Sequence, residues 1–169
     1  HNYRERGMNT LLLTASHYEV DGVTTITSRL GIEAEADKFG AETDLFNFIK
    51  EQEGRGALHC VMVDEAQFLT DDQVWQLARV TDELNIPVMA YGLRTDFQGN
   101  LFPGSQRLLA IADTIREVRT ICHCGRKATM VARFTEDGRL ATEGDQVAGE
   151  KSKYMSYCRK HWARVMQRY

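Results

Sequence analysis

The chain has 169 residues, with 24 acidic against 21 basic side chains and a formal net charge of −3; its pI is near 6.0. That length holds one good core, or a core with a small appendage. The charge balance excludes the basic footprint of a nucleic-acid binder, no apolar run approaches the roughly 18 residues of a membrane span, and no secretory signal is visible.

The opening His1-Asn-Tyr-Arg-Glu-Arg-Gly7 reads as the last turn of a helix closed by Gly7. A chain that opens inside a helix raises the expectation of further residues upstream. Asn9 to Ala15, with its three leucines, reads as a central strand. Residues 16 to 27 have no hydrophobic period and contain Gly22, and read as a loop. Ser28 to Ile32 reads as a short strand. Glu42 to Glu53 places Leu45, Phe48 and Ile49 on one helical face, with Gly54 and Gly56 ending that helix.

The stretch from Leu58 to Phe68 is the most informative. An apolar run is followed abruptly by Asp64 and Glu65. Such a run, bounded by turn signals, suits a strand buried on both faces, as in a parallel sheet. Open parallel sheets bind ligands at the carboxyl ends of their strands, and there the two carboxylates stand. One can hold a magnesium ion among phosphate oxygens; the next can accept a proton from an attacking hydroxyl. This is the form of a Walker B strand with a neighbouring base. An acidic pair can equally do no more than end a strand and begin a turn.

Thr70 and Gln73 form a capping-box pair. Val74, Leu77, Ala78, Thr81 and Leu84 follow at helical spacing, Asn85-Ile-Pro87 closes the helix, and Val88 to Tyr91 reads as a buried strand. The long segment Gly92 to Ser105 follows a strand's carboxyl end and so faces the expected site. Ser105 to Ala112 reads as a short helix. This alternation of strand and helix argues for a parallel α/β sheet. It stops after Asp113. Val118–Ile121, Thr129–Phe134 and Leu140–Val147 read as small strands, and Tyr157–Arg168 as a basic helix.

Of the four cysteines, Cys60 lies in the buried strand and reads as a core thiol. Cys122-His-Cys124 and Cys158-Arg-Lys-His161 form two close pairs far apart in the chain. Zinc takes four tetrahedral sulfur or nitrogen ligands, and two such pairs supply them. His123 competes with His161 for the fourth position; without metal the same residues are two reduced cysteine pairs. With no vacant position implied, the metal would be structural, folding a region whose own apolar content is thin.

Val63-Asp-Glu-Ala-Gln-Phe68, Tyr91-Gly-Leu-Arg-Thr-Asp-Phe97, the Cys122/Cys124 pair and Tyr154 followed by Cys158-Arg-Lys-His-Trp162 together resemble the type II thymidine kinases, the bacterial, phage and animal cytosolic group. The likeness runs from residue 1 to about 168, with several motifs in family order. It implies a P-loop-kinase-like (RecA-like) parallel sheet core over residues 1–117, and a small C-terminal zinc-binding, ribbon-like domain over 118–169 that carries the nucleoside lid. It implies transfer of the ATP γ-phosphate to the 5′-hydroxyl of thymidine, with Mg2+ accompanying ATP, dTTP as feedback inhibitor, a homotetramer, and a cytoplasmic location (host cytoplasm if phage-encoded). No nucleic acid or membrane partner is implied. Glu65 matches the general base and Asp64 the Walker B residue that works with magnesium; Gln67 falls in the same nucleotide-site motif. Phe68, Leu93, Phe97 and Phe102 match walls of the thymidine pocket, and Tyr154 an aromatic of the closing loop. Cys122, Cys124, Cys158 and His161 match the zinc ligands. From the residues alone, Phe68, Phe97 and Phe102 read as core aromatics.

Three features depart from the family pattern. The sequence contains no Gly-x-x-x-x-Gly-Lys-[Ser/Thr], the loop that cradles the β- and γ-phosphates; the family carries it just upstream of where this chain begins, so it is expected there. Tyr18-Glu-Val20 stands where the family usually has Asp-x-Arg. The loop Val147 to Lys153, expected with residues 16–27 to close over ligand, is about one residue short of the family's. Two other functions compete on sequence grounds: a non-catalytic nucleotide-binding zinc protein, and a helicase or DNA-dependent ATPase fragment suggested by Asp64-Glu-Ala-Gln67. The acidic pI speaks against the latter.

Overall fold

The leucine-rich run ending at Ala15 and the apolar run before Asp64 are neighbours in one parallel sheet. The structure is a computed structural model, and it describes residues 5–16, 25–27, 33–144, 146 and 152–169. The expected strand at 28–32, the Tyr18-Glu19-Val20 departure, most of the 16–27 and 147–153 loops, and the first four residues of the opening helical turn lie outside the described residues.

In chain order the elements are β1 (Thr10–Ala15), β2 (Thr25–Thr27), β3 (Glu33–Glu35), β4 (Asp37–Phe39), α1 (Leu45–Arg55), β5 (Cys60–Val63), a 3-10 turn (Ala66–Phe68), α2 (Asp71–Leu84), β6 (Val88–Ala90) and α3 (Pro103–Ile111). Strands β4, β1, β5 and β6 form one sheet in that order, every pairing parallel. In β1, Leu11, Leu13 and Ala15 are buried, and in β5 so are Cys60, Val61 and Val63. Inner strands of a parallel sheet are covered on both faces, which is why these segments are apolar runs rather than alternations. β2 and β3 pair antiparallel. Among the described residues no helix is long and apolar enough to cross a membrane.

Helix α1 starts later than the periodicity suggests. Asp44 is its N-cap and accepts from the Asn47 amide, satisfying one of the orphan N–H groups of a first turn. Phe46 is buried with Leu45 and Ile49, whereas Phe48 is half-buried. Gly54 lies inside the helix, and Gly56 alone ends it. The capping box of α2 forms as the sequence predicts, from both Thr70 and Gln73. Gln73 also reaches beyond its own helix. Its buried side chain donates to Gly40 O at 2.7 Å and Thr43 O at 3.0 Å, holding the turn after β4. Helix α3 begins at Pro103 rather than Ser105, since proline suits a first helical turn.

The remaining elements are β7 (Thr120–Ile121), β8 (Lys127–Ala128), β9 (Met130–Phe134), β10 (Leu140–Ala141), β11 (Lys153–Tyr157) and α4 (Arg159–Val165). β7 and β8 form a small hairpin, and β9 is the middle of an antiparallel sheet between β10 and β11. Cys122, Ala132, Tyr157, Cys158, Trp162 and Ala163 make the local core. The Trp162 indole N–H donates to Val131 O at 2.9 Å, so its polar edge is satisfied inside that core. The sequence pattern does not predict strand β11. Pairing of Tyr157 with Met130 takes that tyrosine out of the C-terminal helix, which therefore begins at Arg159.

The chain divides into two compact units. The first comprises His1–Leu93 and Pro103–Ala110, the second Arg94–Phe102 and Ile111–Tyr169. The chain thus leaves the first unit at Arg94 and returns to it for α3.

Candidate functional site

Asp64 and Glu65 stand at the carboxyl edge of the parallel sheet, where the chain leaves β5. The Asp64 N–H donates to Leu13 O at 2.8 Å and the Ala66 N–H to Tyr91 O at 2.8 Å. Glu65 is therefore held between hydrogen bonds to both neighbouring strands. Its backbone is left-handed, with φ 53° and ψ 36°, a conformation costing a non-glycine residue on the order of 1 kcal/mol. Burial raises the Glu65 carboxyl above its ordinary range; a hydrogen bond from Gln67 works against this, and the charge of Asp64 adds to it.

Gln67 is 2% exposed, and both ends of its amide are used. Nε2 donates to Glu65 Oε2, and Oε1 accepts from the Leu93 N–H at 3.1 Å. The Ser105 hydroxyl donates to the Leu93 carbonyl, so Leu93 is fixed from both sides of its backbone. Two glycines make room. A Cβ at Gly92 would sit 2.6 Å from Gln67 Oε1 and 2.9 Å from the Gln67 nitrogen, and one at Gly104 would sit 2.7–2.9 Å from the carbonyl oxygens of Leu69, Ala66 and Gln67. Real side chains do not tolerate such distances. In the sequence these glycines mark loop punctuation; their packing against Gln67 depends on β6 and α3 and is not legible there. Phe68 is half-buried and the Leu93 side chain exposed in this unit.

Phe97, Phe102 and Tyr154 belong to the second unit. Phe97 and Phe102 are buried and Tyr154 is about half exposed. The Arg133 guanidinium lies 4.0 Å over the Phe97 ring, a cation–π contact. Asp96 shapes the segment around Phe97. Its Oδ1 accepts from the Gln98 and Asn100 amides, both at 2.9 Å, and its Oδ2 from Gln146 Nε2 at 3.1 Å. Arg133 does not stand out in the sequence, because Phe97 comes from a distant segment, as does the Gln146 partner of Asp96.

Cys122, Cys124, Cys158 and His161 come together in the second unit, with one ligand atom from each within 4.8 Å of every other. Cys124 Sγ and Cys158 Sγ are 3.8 Å apart; His161 Nδ1 lies 3.5 Å from Cys122 Sγ and 3.4 Å from Cys158 Sγ. A tetrahedral zinc with bonds of about 2.0–2.3 Å has ligand–ligand edges of roughly 3.4–3.8 Å, which these three separations match. The β7–β8 turn supplies the first pair; the Cys158 cap and first turn of α4 supply the second. Burial would raise the Cys122 thiol, but backbone N–H groups of Cys124 and Cys158 and the His161 ring favour its thiolate and bring it down to about 6. Such a thiolate is the metal-binding form. Cys124 is raised: a backbone donor at Arg126 opposes burial and the neighbouring sulfurs of Cys122 and Cys158, which prevail. His123 Nδ1 lies 3.6 Å from Cys122 Sγ, next to the cluster but not a member of it.

The thymidine kinase family pattern matches residues 1–162. A thymidine kinase of Mesorhizobium japonicum is 59% identical over 168 residues, covering 99% of this chain and 83% of that protein. One from Ruegeria pomeroyi is 61% identical over 163 residues, covering 96% and 82%. The thymidine kinase of Enterobacteria phage T4 is 52% identical over 162 residues, covering 96% and 84%. With its Asp64–Glu65 strand end, its Cys3His cluster and this likeness over nearly its whole length, the chain belongs to the thymidine kinase family.

Proposed function

We propose that the protein transfers the γ-phosphoryl group of ATP to the 5′-hydroxyl of thymidine, giving dTMP and ADP. The observation that carries this reading is the Asp64–Glu65 pair at the carboxyl edge of the parallel sheet, in a chain of this family. Phosphoryl transfer asks a protein mainly for positioning, charge neutralisation and a base near the nucleophile. Glu65 is the general base, accepting the proton of the thymidine hydroxyl as it attacks. Its raised carboxyl suits proton transfer at neutral pH, where the best base has a pKa near the working pH. Asp64 is the residue that holds Mg2+, which when bound neutralises charge on the ATP phosphates. Gln67 belongs to the same nucleotide site. Phe68 and Leu93 of the first unit, and Phe97, Phe102 and Tyr154 of the second, are the residues that match the nucleoside-binding positions of the family.

The metal of the Cys3His cluster is a structural zinc held by Cys122, Cys124, Cys158 and His161. Four protein ligands within reach of one ion would leave no open position, as structural zinc sites require. Residues 1–117 bind nucleotide, and 118–169 form the zinc-binding and lid domain. The protein works in the cytoplasm and is inhibited by dTTP. It assembles as a homotetramer, and the exposed apolar side chains of Ile115, Val118 and Ile121 are the kind of surface that copies cover.

The test is product formation by the intact protein. With ATP, Mg2+ and thymidine it should yield ADP and dTMP in equal amounts. ATP hydrolysis stimulated by DNA, without dTMP, would contradict the reading.

A further inference from the structure

We infer that Gln67 is a positioning residue for Glu65, holding the carboxylate against an anchor on the Leu93 backbone. The inference rests on the reading of Glu65 as general base. A glutamate in the left-handed region just beyond a strand end has a side-chain direction unlike that of its neighbours, and its long χ chain has several rotamers to choose from. A base must be held close to the productive geometry, and a misplacement of about 1 Å can cost on the order of 100-fold in rate. Gln67 selects the orientation. Its Nε2–H donates to Glu65 Oε2, while its Oε1 is occupied by the Leu93 N–H at 3.1 Å.

That second bond fixes which way round the amide lies. A flipped Gln67 would set two N–H donors face to face at Leu93 and two oxygens face to face at Glu65. The orientation is thus determined by a backbone group that cannot turn, since the Ser105 hydroxyl also holds the Leu93 carbonyl. Gly92 brings main chain against the Gln67 amide, and Gly104 against the Gln67 carbonyl, where no Cβ would fit. With an N–H on Glu65 and its oxygen on Leu93, Gln67 acts on the reaction through Glu65. A side chain expected in the nucleotide site thereby joins the segment ending at Leu93 to the base.

The experiment is a double-mutant cycle on the intact kinase with Glu65→Gln and Gln67→Met, the latter keeping length but removing the amide. Turnover and KM for thymidine and ATP are measured for all four proteins, with zinc content and thermal unfolding as checks of folding. Expected are a fall in kcat of about 10- to 100-fold for Gln67→Met alone, KM values within a few-fold of the parent, and little further loss when it is added to Glu65→Gln. An equal loss in both backgrounds would mean a merely structural role and overturn the inference, as would unchanged kcat in the single variant. Near-normal turnover in Glu65→Gln alone would instead remove the base assignment, and the inference with it. Should Gln67→Met fail to fold, Gln67→Asn keeps the amide but falls one methylene short, and the same pattern is required of it.

Discussion

Cys124 Sγ and Cys158 Sγ sit 3.8 Å apart although 34 positions separate them in the chain. That approach joins the β7–β8 turn to the start of α4 and makes a four-atom cage with Cys122 and His161. Protein purified without added metal should contain close to one zinc per chain by elemental analysis. His161→Ala should lose the zinc and destabilise the second unit severely, because zinc binding free energy is folding free energy in small metal-held regions. His123→Ala should be mild, its ring lying beside the cage. The reverse ranking in zinc content and unfolding midpoint would reassign the fourth ligand.

Two glycine substitutions should act in opposite directions. Gly54 lies inside α1 with open space around a would-be Cβ, so Gly54→Ala should stabilise by about 0.5–1 kcal/mol through the entropy of the unfolded chain. A Cβ on Gly104 meets three carbonyl oxygens under 3 Å, so Gly104→Ala should destabilise by about 1–3 kcal/mol. Urea denaturation at unchanged m-value measures both. A stabilising Gly104→Ala would show that α3 does not press on the 66–69 turn as described.

Glu65 should leave a signature in stability against pH. Its carboxyl is raised in the folded protein, first by burial and further by Asp64, with Gln67 opposing. Its contribution to stability is therefore fully present below the ordinary carboxylate value and is lost as pH rises through the higher folded value. Glu65→Gln removes that loss. Measured without nucleotide or magnesium, the variant's advantage over the parent should be small near pH 4 and grow towards pH 7. A gap that does not change with pH would mean that the carboxyl is not raised.

What the sequence conveys and what it hides follow from the range of the interactions. The Asp64–Glu65 strand end is legible because an inner parallel strand is apolar throughout and its end is marked by the first charges. The α2 capping box is legible because Thr70 and Gln73 are three residues apart. The cage is legible as two cysteine-containing pairs. Strand β11 is not: four of its five residues are exposed, so no apolar pattern marks it, and it exists through pairing with β9. The apolar spacing places the start of α1 too early because Asp44, and not that spacing, sets it. Gln67, Gly92, Leu93 and Gly104 are close only because β5, β6 and α3 converge, and no local pattern records that.

The most direct measurement is the turnover of the intact kinase carrying Glu65→Gln, with ATP, Mg2+ and thymidine at saturation. The substitution keeps size and most hydrogen bonding but removes the base. Loss of a general base costs roughly 100- to 10,000-fold in rate, so kcat should fall by that factor while thymidine affinity stays within a few-fold of the parent. Turnover close to that of the parent would contradict the assignment of Glu65 as the base.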